Sequence, residues 1–389
     1  MTKLEGKTLS IVIPAYNEED AIEAILHGCL AARQALCAEL GLKSVEVIAV
    51  NDGSRDRTEE LARGIREARL INHPRNLGYG RALMTGFEAA SGDYLGFLDA
   101  DGTCDPLAFA ALGKALSEAD ADLAVGMRLH PGSQMPAIRV LGNRFYAAVI
   151  SLLTGVPVAA SASGMRLFSR SMLARLSPMP SGLHFTPAMT ARVACLGAKI
   201  VETPIPYADR QGQSKLNVIA DGIRFLRVIL GIIFSNFPMR FFGPAGTLFA
   251  LIALAYGVWP VRYYLEHHEL QPDVMIYRLL TIVTLAACSL VCLTFGALAQ
   301  KAADLSLGKG PSVLDRPWFS ETAVAAGLIL SIGGVLLNLR TILQYFSTGS
   351  ISIHWIYVLT GSLLVIPGAI LAAFGVTLEL LRHMPTEKK

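Results

Sequence analysis

Over the first 125 residues, short continuous apolar runs alternate with stretches in which apolar residues recur at helical spacing. Leu9–Pro14 is a β-rich run ending in a polar loop, Ala15–Glu19, and from Asp20 to about Leu40 the spacing becomes helical. Val45–Val50 is a second buried strand, closed by the turn Asn51-Asp52-Gly53-Ser54; a helix follows from Thr58, then a short strand near Arg69–Ile71. Tyr94–Leu98 is a further strand that runs straight into Asp99-Ala100-Asp101-Gly102. Strands alternating with helices predict a doubly wound, mostly parallel sheet. Such sheets bind ligands beyond the carboxyl ends of their strands. Here those ends carry Asn17, Glu18, Asp52, Asp99 and Asp101, so the polar groups gather on one rim.

Residues 126–210 are less regular, rich in Arg, Ser, Gly and Pro, and are expected to form the acceptor side of a cleft. From Asn217 to Ser235 the pattern turns amphipathic. Asn217, Asp221, Arg224, Gly231 and Ser235 share one stripe, and Ile219, Ile223, Leu226, Leu230 and Ile233 the other. An apolar helix face edged by arginines suits the plane of a membrane interface. Phe241–Val261 is then uncharged for 21 residues and Leu279–Gln300 for 22. Two more apolar stretches, 322–346 (crossing Arg340) and 353–376, bring the expected spans to four. Each is near the ~20 residues that cross the hydrocarbon of a bilayer. The loop after the second span carries Lys301, Lys309 and Arg316 and the tail ends in Lys388-Lys389, whereas the loop after the first is Glu266-His267-His268-Glu269. This positive-inside bias predicts an integral protein of a bacterial or archaeal plasma membrane, its catalytic part and both termini in the cytoplasm.

Composition sharpens the division. Residues 1–240 hold 48 of the 65 charged side chains and residues 241–389 only 17. Net charge is +3, so no nucleic acid is expected as a partner. The six cysteines are scattered without a Cys-x-x-Cys pair, which argues against a zinc site or a disulfide framework. The opening Met-Thr-Lys-Leu-Glu-Gly-Lys leads toward a strand and carries no signal-peptide core.

Two carboxylates one residue apart at a strand end, Asp99 and Asp101, can gather a divalent cation, Mg²⁺ or Mn²⁺, against a diphosphate. An Asp-x-Asp alone is common; its companions narrow it. Ile11-Val12-Ile13-Pro14-Ala15-Tyr16-Asn17-Glu18-Glu19 comes first, then Val50-Asn51-Asp52-Gly53-Ser54-Arg55-Asp56. Asn76-Leu77-Gly78-Tyr79-Gly80-Arg81-Ala82 follows, then Leu98-Asp99-Ala100-Asp101. The series, within residues 9–105, resembles family 2 glycosyltransferases of GT-A fold. That resemblance implies a nucleotide-sugar donor, with Pro14, Tyr16, Glu18 and Asp52 around the base and ribose. It also implies that Val50, Gly78, Arg81 and Ala100 complete the donor site, and that Asp99 and Asp101 sit at the diphosphate and metal.

Ser163-Gly164-Met165-Arg166-Leu167-Phe168, Glu202-Thr203-Pro204-Ile205-Pro206-Tyr207 and Arg210-Gln211-Gly212-Gln213-Ser214-Lys215-Leu216 extend the likeness. Together they resemble dolichyl-phosphate mannose synthases and bacterial undecaprenyl-phosphate glucosyltransferases. This implies that Arg128, with Arg139 and Asn143, holds the donor and acceptor phosphates, and that Arg166 joins them on the acceptor side. Arg210 and Lys215 would close over the diphosphate, and Asp99, Asp101, Arg128 and Arg210 would carry catalysis. Forked guanidinium donors suit phosphate oxygens. Four positions depart from the family's habit. Thr103 stands where a metal-binding Gln is frequent, Ala160 and Asn51 where Asp is frequent, and His184 where an acidic or neutral residue is usual.

No general base stands out, and a phosphate acceptor would need none, because its second ionisation lies near about pH 6. A processive polymerase is excluded: the Gln-x-x-Arg-Trp motif needs a tryptophan in the catalytic part, and Trp259, Trp318 and Trp355 all lie beyond it. The expected protein is an α/β GT-A domain over 1–216, an interfacial amphipathic segment over 217–240, and an all-α transmembrane domain of four helices over 241–389. Its expected reaction is inverting transfer from a GDP- or UDP-sugar to a polyisoprenyl phosphate. A lipid hydroxyl acceptor, such as a diacylglycerol or ceramide, is the alternative of the same fold. A non-catalytic flippase or scaffold is the alternative of another class, and the intact Asp99/Asp101 pair speaks against it.

Overall fold

The computed structural model describes residues 3–128, 137–206, 218–268, 272–350 and 355–384. It divides into two compact units, Met1–Ile233 and Phe234–Lys389.

The first unit is built on seven strands. β1 (Thr8–Ala15), α1 (Ile22–Leu40), β2 (Ser44–Asn51), α2 (Thr58–Gly64), β3 (Arg69–Asn72), α3 (Tyr79–Ala89) and β4 (Tyr94–Leu98) form a parallel doubly wound half. α4 (Ala108–Glu118), β5 (Leu123–Met127), α5 (Ala137–Thr154), β6 (Met165–Ser169), α6 (Arg170–Leu176), α7 (Phe185–Cys195) and β7 (Ile200–Pro204) follow. The sheet order is β3-β2-β1-β4-β6-β5-β7. β6 alone runs antiparallel, to both β4 and β5, while β5 and β7 pair in parallel. This is the mostly parallel, doubly wound sheet that the strand and helix alternation implies, as expected from the resemblance to the GT-A fold. Residues 126–210, the least regular part of the sequence pattern, hold a helix on either side of β6 and the edge strand β7.

Both faces of the sheet are buried, which is why its strands read as continuous apolar runs. Along β1, Leu9, Ile11 and Ile13 enter one core with Leu26 and Leu36 of α1 and Phe109 of α4. Val12 enters the other, with Leu83 and Phe87 of α3 and Met189 of α7. Phe87 is the hub of that second core: the rings of Phe168, Phe97 and Phe185 stand 5.4, 6.0 and 6.5 Å away. Each such buried ring contributes about 1.5–3 kcal/mol of burial.

α8 (Val218–Asn236) closes the first unit. Asp221, expected on its polar stripe, is 6% exposed and pairs with Arg224 at 2.8 Å, while Ile223 is 66% exposed. α5 explains the rotation. The hydroxyl of Tyr146 donates to the carbonyl of Gly222 at 2.9 Å, and its ring lies 6.0 Å from Phe225. Asp221, Phe225, Ile229 and Ile233 therefore form the buried line.

In the second unit, α9 (Met239–His267), α10 (Pro272–Ser306), α11 (Pro317–Thr348) and α12 (Trp355–Arg382) are long and apolar enough to cross a membrane by length and composition. α11 and α12 meet through small residues spaced by seven. Ser320, Gly327, Gly334 and Thr341 are the buried line of α11. A side-chain carbon at Gly327 would lie 2.4 Å from the Ala372 nitrogen, and one at Gly334 would lie 2.6 Å from the Gly361 oxygen. Close backbone approach through small residues is how helices associate where lipid removes the hydrophobic drive.

Candidate active site

The loops after β1 and β2 are braced into one piece. Asn17, at φ 50°, accepts the Arg55 N–H at 2.8 Å, and its own N–H donates to Ser54 Oγ at 2.9 Å. The Glu18 N–H donates to Thr58 Oγ1 at 2.8 Å. Beside them the Asp52 carboxylate, 2% exposed, accepts the N–H groups of Leu77 and Gly78 at 2.8 Å each. Its Oδ1 also meets Nδ1 of His73 at 2.7 Å, and Nε2 of that ring meets Thr85 Oγ1 at 3.0 Å. Asp52 is thus a cap for the turn that opens α3 as well as a wall of the site.

At the end of β4, each Asp99 oxygen has a donor. Tyr79 donates its hydroxyl to Oδ1 at 2.7 Å, and Arg128 Nη2 lies 3.1 Å from Oδ2. Burial pushes the Asp99 carboxyl above its ordinary value, against the pull of Arg128. Gly164 supplies the space, since a side-chain carbon there would lie 1.7 Å from Asp99 Oδ2. Asp101 Oδ1 accepts the Thr103 hydroxyl at 2.7 Å and the Thr103 N–H at 3.2 Å.

The opposite wall comes from α5 and the loop before β6. Asn143 Oδ1 accepts Ser161 N–H, Ser161 Oγ and Ala162 N–H at 2.8, 2.9 and 3.0 Å. Glu202 of β7 holds the same loop through the N–H groups of Ala159 and Ala160. These braces leave a cavity of about 1060 Å³ inside the first unit. Its rim is apolar: Ile138, Leu141 and Phe145 of α5 are 56%, 66% and 51% exposed, and Ile223 and Leu226 of α8 join them.

Of the residues singled out from sequence, Pro14, Tyr16, Glu18, Asp52, Gly78, Asp99, Ala100, Asp101, Arg128, Arg139 and Asn143 line this one cavity. Four do not. Val50 is packed in the sheet core, and Arg81 is exposed, 3.7 Å from Glu88. Thr103 is buried and spends its hydroxyl on Asp101. Arg166, assigned from sequence to the acceptor phosphate, is fully buried within β6 and donates to the Ser161 and Ser163 carbonyls at 2.8 and 3.2 Å. Burial holds its pKa down to about 10. Arg210 and Lys215 lie outside the described residues. His184 is partly buried, and burial followed by Arg224 lowers its pKa. Sequence reasoning passed over Tyr79, His73, Gly164's spatial role and the apolar rim; Tyr79 and Gly164 sit inside the quoted motifs.

Residues 10–177 match the glycosyl transferase family 2 domain. The dolichyl-phosphate hexose transferase of Haloferax volcanii is 30% identical over 223 residues, which are 57% of this chain and 92% of that protein. The chain belongs to glycosyl transferase family 2. A second relative, the low-salt glycan biosynthesis hexosyltransferase Agl6 of Haloferax volcanii, is 33% identical over 236 residues. The match covers 59% of this chain and 55% of that one, so this chain spans little more than half of Agl6. Among solved structures, glucosyl-3-phosphoglycerate synthase from Mycobacterium tuberculosis, with Mn²⁺, UDP and glucosyl-3-phosphoglycerate, is 24% identical. It aligns with a TM-score of 0.48 over 59% of this chain and 80% of its own.

The candidate metal-side donors, Asp99 and Asp101, are carboxylates. Among the described residues, no cluster of three His, Cys, Asp or Glu side chains could hold a metal ion. Two carboxylates still fit Mg²⁺ or Mn²⁺, because such ions are commonly held by one or two carboxylates plus substrate phosphates and water.

Proposed function

We propose that the chain transfers a sugar, with inversion, from a GDP- or UDP-sugar to the phosphate of a polyisoprenyl phosphate on the cytoplasmic leaflet. One observation carries this reading: paired carboxylates, arginines and an apolar rim line the same cavity. Asp52, Tyr16 and Glu18 face the nucleoside end. Asp101 and Asp99 face the diphosphate, where a divalent cation would neutralise charge on the leaving group. Arg128 and Arg139 supply cations toward the phosphates, with Arg210 and Lys215 assigned to close over the diphosphate. Ile138, Leu141, Phe145 and Ile223 offer the apolar surface that an isoprenyl chain needs. The name of the dolichyl-phosphate hexose transferase supports a lipid-phosphate acceptor.

In the reaction, an acceptor phosphate oxygen forms a bond to the anomeric carbon as the bond from that carbon to the nucleotide diphosphate breaks. The electron pair of the broken bond leaves on the diphosphate. Because the acceptor is already ionised near neutral pH, no side chain has to remove a proton. The positive loop residues Lys301, Lys309 and Arg316 support a cytoplasmic catalytic unit.

The test is to incubate the purified full chain with Mg²⁺ or Mn²⁺, polyisoprenyl phosphate and a panel of nucleotide-sugars, and to identify the lipid product by mass spectrometry. A polyisoprenyl-phosphate sugar from one donor is the expected product. Its absence with every donor, or a sugar on a lipid hydroxyl instead, overturns the reading.

A further inference from the structure

The turn that opens α3 touches two carboxylates of the proposed donor site, Asp52 and Asp99. Leu77 and Gly78 give their N–H groups to Asp52, and the next residue, Tyr79, gives its hydroxyl to Asp99 Oδ1 at 2.7 Å. The turn itself has little freedom. The N–H groups of Gly80 and Arg81 both donate to the Ser181 carbonyl, at 2.6 and 3.1 Å. Gly78 adopts φ 101°, and a side-chain carbon at Gly80 would lie 2.1 Å from the Pro180 oxygen. A phenol held on such a turn cannot follow a carboxylate that swings away; it holds the carboxylate to one place.

Asp99 is fixed from its other side as well, by Arg128 at 3.1 Å from Oδ2. The two donors differ in kind. A guanidinium can be drawn off by an arriving phosphate, whereas the tyrosine sits on a turn that Asp52 holds through the N–H groups of the two preceding residues. The tyrosine can therefore keep Asp99 oriented when the phosphates arrive.

We propose that Tyr79 is a positioning residue, holding Asp99 at the angle at which it and Asp101 receive a divalent cation together with a nucleoside diphosphate. The inference rests on reading the cavity as the donor site. Nothing in it requires Tyr79 to touch substrate.

The test is a binding measurement on the full chain in detergent: titration of Mn²⁺ by electron paramagnetic resonance in the presence of UDP or GDP. Tyr79→Phe removes one hydroxyl from a bond to a charged group, and should weaken Mn²⁺ retention roughly 10- to 100-fold. The melting temperature, read in parallel without ligands, should move little. Asp99→Ala should weaken retention too, and the double variant should bind no worse than Asp99→Ala alone, because both changes remove the same bond. Equal or tighter Mn²⁺ binding by Tyr79→Phe overturns the role of Tyr79, and so do losses that simply add in the double variant. If the wild-type chain retains no Mn²⁺ with either nucleotide, the donor-site reading itself fails.

Discussion

In residues 1–233 the largest side chains point inward, and Phe87, Phe97, Phe109, Phe168 and Phe185 are fully or almost fully buried. In residues 234–389 the order is reversed: Leu254, Ile329 and Phe346 are 69%, 70% and 83% exposed, while Gly327, Gly334, Ser320 and Thr341 fill the α11–α12 seam. Ser54 and Thr58 bridge two loops in the first unit, whereas Thr281, Thr284, Thr294 and Thr377 of the second return their hydroxyls to carbonyls four residues back in their own helices. A segment facing hydrocarbon has to satisfy its polar groups within itself. The contrast teaches how to read the exception. On α5, Ile138, Leu141, Phe145 and Leu152 are more than half exposed, so this helix of the first unit carries a surface like that of the second. It is the helix whose other residues, Arg139 and Asn143, enter the cavity.

The sharpest way to break the comparison is to strike the polar end of the cavity and leave the apolar rim whole. Asp101→Ala should lower transfer by at least about 10³-fold, as several kcal/mol of charge stabilisation on the leaving diphosphate is lost. Its circular dichroism spectrum and melting temperature should stay close to wild type, because the bonds that Asp101 accepts from Thr103 join residues two positions apart in one loop. Removal of the cation with EDTA should mimic it. A smaller effect should follow from striking the rim instead. Leu141→Ser with Phe145→Ser should raise KM for a long polyisoprenyl phosphate about tenfold and leave the donor KM unchanged. Each lost apolar side chain forfeits on the order of 1 kcal/mol of contact with lipid. If kinetics with the long acceptor do not change, the α5 stripe is ordinary exposed surface.

Much of the fold was legible. Strands expected at Leu9–Pro14, Val45–Val50, Arg69–Ile71 and Tyr94–Leu98 correspond to β1–β4 to within two residues at each end; for β1, β2 and β4 two-sided burial writes a continuous apolar run. The antiparallel strand β6 was hidden, since Met165–Ser169 carries an arginine at its second position. Arg166 reads as a phosphate ligand until the structure supplies two carbonyls for it. α5 escaped notice for the opposite reason: a helix with apolar residues outward and Asn143 inward inverts the pattern by which soluble helices are found. The carboxylate rim was readable because strand ends deliver it. The Tyr79–Asp99 bond was not, because it joins residues 20 apart that only the packing of α3 against the sheet brings together.

The most direct test of the central claim offers one enzyme, with one donor sugar-nucleotide, two acceptors that differ only at the head: a polyisoprenyl phosphate and the matching free alcohol. The rate with the phosphate should rise through about pH 6 as the acceptor ionises. The alcohol should give no measurable product, because Arg128 and Arg139 gain little from a neutral hydroxyl and the proposed reaction assigns no side chain to take its proton. Glycosylation of the alcohol as fast as the phosphate, or faster, would contradict the lipid-phosphate account and leave the lipid-hydroxyl reading in its place.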